Sequence, residues 1–467
     1  MNPKVAIVIV NWNKKEFVLR LLTQLQMIDY DNFDIIIVDN ASTDGSVEAI
    51  RERFPNLKLI VNKENLGGTG GFNTGMRYFL KNNNFVYKYI WLLDNDAEVE
   101  IDTLKELVKA MEEDEKIGIA GSRIIDINSR DITIEAGAFF RWDTIGVKPL
   151  FRNKKNIQFS HKTYEVDYVA ICSALVRTKA IEEAGFMDDR FFIFWDDMDW
   201  GLQFKKNNFK VVSVFTSVAY HPAFTEKRSP LVDFYYGYRN ALLTYAKHSG
   251  LLQRLPIYLR HIRYCSKVLF FLGLTGRWDL MCMGFAGIKD FLIGRWGGKT
   301  FKTKNKELKK IKVDSNKEIN KIIFLNTGNR EDIYNALKAV KVLFPKARCD
   351  LIMQDDRADI FSKEFNNIIF IKRDNRGGLI YLFFIFLKIL IRNYDLAVIP
   401  NYPSPFSFSV KKVCHYNPIT NDLVLSNENL KNIWKLFLSV IFGEVVSIFL
   451  LPPVYVRSLI YNKSQHE

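Results

Sequence analysis

The sequence predicts an α/β protein in which two sheet-bearing units are joined by a basic helical segment. Three observations carry this expectation. Over the first 220 residues, short apolar runs of strand length alternate with stretches of helix length, the pattern of a sheet flanked by helices. From Leu231 to about Gly298 the chain becomes helical, aromatic and basic. After a Lys-rich stretch from Lys299, the strand and helix alternation resumes at Lys321.

The elements follow in order. Val5–Val10, Phe33–Val38 and Leu57–Asn62 read as strands, with helices at Phe17–Met27 and Val47–Phe54 between them. A helix over Gly71–Leu80 and a strand over Tyr89–Leu93 follow, the strand ending in Asp94-Asn95-Asp96. In the last third, strands are expected at Lys321–Leu325, Cys349–Met353, Asn367–Ile371 and Leu396–Ile399. Helices are expected there at Arg330–Phe344 and Leu379–Arg392. The implied organisation is a sheet domain over residues 1–230, a helical basic segment over 231–298, a Lys-rich linker over 299–320 and a small Rossmann-like unit over 321–467.

Composition narrows the function classes. With 467 residues and 48% apolar residues the chain can build full cores, so it is no stapled mini-protein. Its five cysteines have no paired spacing, which fits neither a disulfide framework nor a zinc site and suits a reducing compartment. Lys4–Val10 runs directly into a buried strand, so no secretory leader is expected. The net charge of +14 is concentrated: Leu202–Lys312 holds 21 Lys and Arg against 5 Asp and Glu. Within it, Leu251–Trp296 mixes Arg and Lys with Phe, Tyr, Trp and Leu, a composition that suits an anionic membrane surface rather than nucleic acid. A solvated helical face that packs on the rest of the protein has the same composition. No apolar run reaches the ~20 uninterrupted residues of a spanning helix; Ile433–Val456 is broken by Lys435, Glu444 and Pro452-Pro453. Peripheral attachment is therefore expected.

Three acidic clusters fall at strand or loop ends: Asp39-Asn40-Ala41-Ser42-Thr43-Asp44, Asp94-Asn95-Asp96 and Asp196-Asp197-Met198-Asp199. In open α/β sheets ligands bind at the carboxyl ends of strands. An Asp-x-Asp there can hold a hard cation that neutralises a diphosphate, although the same tripeptide also makes ordinary turns. Asn65-Leu66-Gly67-Gly68-Thr69-Gly70-Gly71 stands between a strand and a helix, where glycines let the backbone approach a phosphate or sugar. A tight strand-to-helix turn needs the same glycines.

Taken together and in this order, Ile7–Asn13, Val38–Ser46, Asn65–Gly71, Leu93–Asp96 and Phe194–Gly201 resemble the inverting family 2 glycosyltransferases with the A-type, Rossmann-like fold. Bacterial rhamnosyl- and galactofuranosyltransferases are the nearest in look. The resemblance spans roughly residues 3–298. It implies that Asp39 contacts the donor's base, with Asn11, Asn65 and the loop Gly67, Gly68, Gly70 and Gly71 nearby. It further implies that Asp94 and Asp96 hold Mg2+ or Mn2+ on the diphosphate of a UDP- or dTDP-type donor, with His221 completing the metal site. Asp196 is the implied general base, and the choice between Asp196 and Asp197 stays open. The expected acceptor is a lipid-linked cell-surface glycan, reached from the inner face of the cell membrane. The C-terminal unit resembles the amino-terminal half of heptosyltransferases through Lys321–Leu325, Phe344–Ile352 and Arg392–Ile399. That half lacks the nucleotide-sugar site, so the unit is expected to be non-catalytic and to contact acceptor or a second copy of the chain.

Competing readings are weaker on the residues. A processive polysaccharide synthase calls for spanning helices and a Gln-x-x-Arg-Trp motif, and Arg295-Trp296 lacks the Gln. A nucleotidyltransferase calls for a Gly-rich loop after the first strand, where Asn11-Trp12-Asn13-Lys14 stands. A non-enzymatic scaffold has no use for Asp94, Asp96 and Asp196 together.

Overall fold

The computed structural model describes residues 2–81, 86–143, 145–152, 154–155, 159–222, 230–274, 277–299, 301, 319–325, 330–354, 361, 364–371, 392–399, 413–417, 422–426 and 434–463. The first strand, β1 (Val5–Asn11), is buried along its whole length, as expected of a central parallel strand covered on both faces. Its alternation assigns the two layers: Val5, Ile7 and Ile9 join one core, Ala6, Val8 and Val10 the other. On the first side lie α1 (Lys15–Leu25) and, later in the chain, the helix Thr103–Glu113.

The strands β2 (Phe33–Asp39), β3 (Lys58–Val61) and β4 (Tyr89–Asp94) run parallel to β1 in the order β3-β2-β1-β4. The helices α2 (Ser46–Arg53) and α3 (Gly67–Lys81) connect them. The sheet continues through β5 (Glu98–Val99), α4 (Thr103–Glu113), β6 (Ile117–Asp126) and β7 (Ser129–Glu135). A hairpin of β8 (Ala138–Arg141) and β9 (Gly146–Pro149) stands apart, followed by β10 (Lys154–Lys155), β11 (Thr163–Val166) and β12 (Ser173–Arg177). Among the described residues β12 pairs antiparallel with both β4 and β6. After α5 (Thr178–Ala184) and α6 (Asp196–Lys206), the long β13 (Lys210–His221) pairs parallel with β6 and brings His221 opposite Asp126.

The glycine-rich stretch is the first part of α3 itself rather than a loop before it. A Cβ on Gly75 would stand 2.3 Å from Val8 Cγ1, and one on Gly71 2.6 Å from Val10 Cγ1. These glycines let α3 lie directly on β1, the close helix-to-strand approach that a side chain would prevent.

The basic segment folds as three helices, α7 (Pro230–His248), α8 (Leu251–Leu274) and α9 (Trp278–Ile293). Several of its residues are packed inward rather than free for a membrane. Ile257, Tyr258, Phe271, Leu272 and Phe291 are buried, and so is Arg254, whose guanidinium donates to the carbonyls of Ala246, Ser249 and Ser458.

The C-terminal unit contains β14 (Lys321–Leu325), α10 (Arg330–Leu343), β15 (Arg348–Gln354), β16 (Asn367–Ile371), β17 (Leu396–Ile399), β18 (Val413–Asn417) and β19 (Asp422–Ser426). Its strand order is β16-β15-β14-β17-β18-β19, parallel except for β19. The helix expected over Leu379–Arg392 lies outside the described residues apart from Arg392, as does most of the Lys-rich linker. The last helix, α11 (Trp434–Lys463), runs unbroken through Glu444 and Pro452-Pro453, where the sequence suggested interruption. It packs on α8, not on the sheet that precedes it in the chain: Ser458 accepts from Arg254, and Glu444 pairs with Arg263 and Lys267. Its segment Leu438–Ile460, with mean hydropathy 1.8, is long and apolar enough to cross a membrane.

Asp199 illustrates how α6 is anchored. Fully buried, it accepts from Lys247 and sits 2.8 Å from His248 Nε2, both at the end of α7. Burial opposes its charged form, yet these two partners hold its carboxyl below the usual carboxylate range. Asp199→Ala would leave Lys247 buried with Asp188 as its remaining acid, an expected loss of about 3–5 kcal/mol measured by urea unfolding. Because the folded-state pKa is depressed, this contribution is present at neutral pH and is lost as pH falls below about 4. An unfolding midpoint equal to wild type at pH 7 would contradict the assignment.

Candidate functional site

The carboxyl ends of three neighbouring parallel strands lie in register: Asn11 on β1 is paired with Asp39 on β2, and Val10 with Asp94 on β4. Asp39 is fully buried; its Oδ2 accepts from Asn11 Nδ2 at 2.9 Å and its Oδ1 from the Ser42 amide at 2.8 Å. Asn95 Nδ2 donates to Asn11 Oδ1 at 2.7 Å, tying the Asp94-Asn95-Asp96 turn to the same network. Asn40 Nδ2 donates to the carbonyl of Gly67, and Asn65 Oδ1 accepts from the Gly67 amide, so the start of α3 is held against β2. Gly67 needs its left-handed φ of 72°, and a Cβ there would meet the Phe192 carbonyl oxygen at 2.1 Å. Gly70 and Gly71 are buried against Leu66 and Val10, which makes them packing residues. Gly68 has open space around its Cα and is the glycine of this group that a ligand can approach.

Asp94, Asp96 and His221 converge from β4, the following turn and the end of β13, with one ligand atom from each lying within 4.8 Å of the others. His221 Nε2 is 3.2 Å from Asp96 Oδ1 and 3.8 Å from Asp94 Oδ2. Its Nδ1 is 3.1 Å from the Pro222 carbonyl, the kind of second contact that orients a ligating imidazole and leaves the other nitrogen facing the acids. Two carboxylates and an imidazole fit a cation of the Mg2+ or Mn2+ type, the imidazole favouring Mn2+. Lys14 Nζ sits 2.7 Å from Asp96 Oδ2. The electrostatics split the two acids: burial and the charge of Asp96 push Asp94 up to about 6, although its side chain keeps 40% of its surface open at the cleft. Burial also works against Asp96, but the bond and charge of His221, with Lys14, hold it far below the usual range. Burial works against the imidazolium too, and the hydrogen bond and charge of Asp96 outweigh it, so His221 is raised.

The third acidic cluster forms the first turn of α6, so the strand or loop end expected there is a helix N-terminus. The chain enters it through Phe192, Phe194 and Trp195 with φ of 67°, 66° and 65°. Left-handed backbone at bulky residues costs about 1–3 kcal/mol each and persists only where its surroundings impose it. Here α7 imposes it. Asn240 Nδ2 is shared among the carbonyls of Phe191, Ile193 and Phe194 at 2.8–3.0 Å. The buried Arg239 donates to the carbonyls of Arg190, Phe191 and Gly297 and, through Nε, to Asn240. Phe192 stacks on Tyr236 with rings 5.5 Å apart. The result is that Asp196 faces the glycine-rich turn, its Oδ2 accepting from Thr69 Oγ1 at 2.8 Å. Asp197 accepts from its neighbour's amide, Met198 N, and burial with the charges of Asp196 and Glu135 raises it well above the carboxylate range. Asp196 is raised as well, chiefly by burial.

Several residues of this cleft carried no readable signal in the sequence. Thr69 lay inside the noted glycine run, but a threonine among glycines does not announce a bond to a residue 127 positions away. Lys14 follows Asn13 as one more lysine in a basic protein. Glu135, at the end of β7, has a buried Oε1 with no hydrogen-bond partner among the described residues and interacts with the Tyr168 hydroxyl, Asp197 and His221. Cys172 lies beside Asp94, its carbonyl accepting from the Asp94 amide, and burial keeps its thiol well above the ordinary value.

Carboxylates and amides gathered at the carboxyl ends of β1, β2 and β4 in a mostly parallel sheet are the arrangement of an A-type glycosyltransferase domain. Residues 6–185 match Glycosyl transferase family 2, and the chain carries a domain of that family. Over 250 residues it is 23% identical to a galactofuranosyltransferase of Mycobacterium tuberculosis, an alignment that covers 49% of this chain and 39% of the relative. Over 266 residues it is 23% identical to an N-acetylglucosaminyl-diphospho-decaprenol L-rhamnosyltransferase of Mycobacterium tuberculosis, covering 54% and 87%. A solved mannosyltransferase from Pyrobaculum calidifontis, in complex with GDP-Man and Mn2+, overlays with a TM-score of 0.40 at 16% identity, covering 62% of this chain and 75% of that one. The chain thus spans well under half the length of the galactofuranosyltransferase.

Asn240→Ala would remove the amide shared by the carbonyls of Phe191, Ile193 and Phe194 at the strained entry to α6. It is expected to lower turnover about 10- to 100-fold through misplacement of the acidic first turn of α6. A variant that loses stability but keeps wild-type turnover in its folded fraction would show that the clamp serves stability alone.

Proposed function

We propose that the chain is an inverting, metal-dependent glycosyltransferase. It moves a single sugar, with galactofuranose or rhamnose favoured, from a nucleotide donor to a lipid-linked glycan at the inner membrane face. The observation that carries this reading is the convergence of Asp94, Asp96 and His221 between the buried Asp39 pocket and the Asp196-Asp197 turn. The two Mycobacterium tuberculosis relatives named above support the sugar and lipid classes. We read the C-terminal unit as non-catalytic, in keeping with its resemblance to half of a heptosyltransferase.

In this reading Asp39 and Asn11 receive the base of the donor, and the open Gly68 lets the diphosphate approach α3. Asp94, Asp96 and His221 would hold a Mg2+ or Mn2+ ion, which would supply positive charge for the leaving diphosphate. The acceptor hydroxyl gives its proton to a carboxylate as it attacks the anomeric carbon from the face opposite the departing group. Of the two candidates we assign Asp197 as the acceptor of that proton and Asp196 as its support. Asp196 already spends one oxygen on Thr69. Burial and the charges of Asp196 and Glu135 raise Asp197 well above the ordinary carboxylate value, which strengthens it as a proton acceptor.

A panel of UDP- and dTDP-sugars, with a membrane lipid extract as acceptor, should release nucleoside diphosphate with one donor class. Asp94→Ala, Asp96→Ala and EDTA should each abolish that release; Asp94→Ala should leave the unfolding temperature unchanged, whereas Asp96→Ala should lower it because Lys14 and His221 lose their shared partner. Full activity in EDTA contradicts the metal assignment, and silence across the panel contradicts the transfer reading.

Asp197→Asn should lower kcat by at least about 100-fold while leaving donor KM near wild type, as expected for a group needed mainly in the transition state. Asp196→Asn should retain more turnover. The reverse order would return the base role to Asp196.

A further inference from the structure

The face of α11 turned away from α8 has no role in the site described above. Ile441, Val445, Ile448, Phe449, Val456 and Ile460 are all exposed, and at 3.6 residues per turn they fall within an arc of about 120°. Ile448 is 68% and Phe449 73% exposed. The arc carries no charged residue, and at 1.5 Å per residue it runs for about 30 Å. The opposite face is built for close packing: Gly443, Ser447, Val454 and Ser458 are buried there, and a Cβ on Gly443 would meet the Lys267 backbone at 2.7 Å. Glu444, the acid of this segment, is neutralised by Arg263 at 2.7 Å and by Lys267.

We propose that α11 is a monotopic membrane anchor, lying along the surface of an anionic bilayer with this arc sunk among the lipid chains rather than crossing the membrane. Length and hydropathy alone would allow crossing. A crossing helix would have to shed α8 or draw it inward, and α8 brings Arg254, Arg260, Arg263 and Lys267, each costly in hydrocarbon. Lying flat keeps every bond between α8 and α11 and places the arc at the depth of the acyl boundary. Charge complementarity identifies the occupant. Arg260 on α8 and Lys289 on α9 are exposed and have no acidic partner among the described residues, as cations that meet lipid phosphates require. Lys289 also edges an apolar groove of about 450 Å3 between α9 and α11, lined by Phe285, Ile288, Leu292 and Leu450. A second copy of the chain or a partner helix would have no need of these flanking cations.

The test is flotation of the full chain with phosphatidylcholine vesicles containing about one third phosphatidylglycerol, which requires no transferase activity and so stands or falls separately from the transfer reading. Binding is expected, weaker to pure phosphatidylcholine, and reversible, with transfer to a second vesicle population. Ile448→Asp with Phe449→Asp should lower binding at least about tenfold and leave the melting temperature unchanged, since both side chains are exposed. Arg260→Glu with Lys289→Glu should weaken binding at low salt only. Wild-type binding by the double Asp variant, or no binding by the wild type, overturns the proposal. So does binding that cannot be transferred between vesicles, the signature of a spanning helix. Substitutions that merely dissolve a dimer, with vesicles ignored, would assign the arc to a second copy instead.

Discussion

The contact between the Arg239-Asn240 pair of α7 and the backbone of residues 190–194 governs how this protein can work. Phe192, Phe194 and Trp195 hold a conformation that free chain rarely adopts, and nothing in their own side chains favours it. It is maintained because the carbonyls of Phe191, Ile193 and Phe194 around them find a donor in the fully buried Asn240 amide, which is itself held by Arg239. From that strained entry α6 starts with Asp196 facing the glycine turn, and Asp199 facing back into the protein toward Lys247 and His248. The helical segment is therefore a structural part of the unit that carries the acidic turn. It shapes the acidic turn as much as the sheet does.

The sheet contributes a different constraint. Parallel pairing in register brings the ends of β1, β2 and β4 side by side, so Asn11, Asp39 and Asp94 need only follow their strands to become neighbours. Concentrating carboxylates there has an electrostatic cost, which the protein meets with Lys14 and His221 on Asp96 while Asp94 remains the raised member of the pair. Asp94, Asp96 and His221 together form a group that could hold a metal ion. The glycines of α3 act mostly one layer below, letting the helix settle on Val8 and Val10 so that Thr69 reaches Asp196.

The helical layer also alters how the basic charge is understood. Arg254 is an internal donor, and Arg263 and Lys267 are spoken for by Glu444, so much of the charge that suggested a membrane surface is structural. What remains outward is the apolar arc of α11, together with Arg260 and Lys289, exposed and without an acidic partner among the described residues.

Local pattern was enough to read the α/β class, the strand and helix order of the first hundred residues and the strands β14 to β17, because period and apolar runs are properties of neighbouring residues. Asp39, Asp94, Asp96, Asp196, Asp197 and His221 could be picked out as candidates, as acids and a histidine at the ends of expected elements, and the structure brings Asp94, Asp96 and His221 together. The sequence could not say that Asp199 is a structural anchor, that Gly70 and Gly71 pack rather than face a ligand, or that Thr69, Lys14 and Glu135 share the cleft. Nor could it show that α11 returns to α8 across almost 200 residues of chain. Those outcomes depend on which groups become neighbours only after the sheet, α7 and α11 have packed. Burial and partner, both products of tertiary contact, decide whether an aspartate, a glycine or an arginine is structural or free to act.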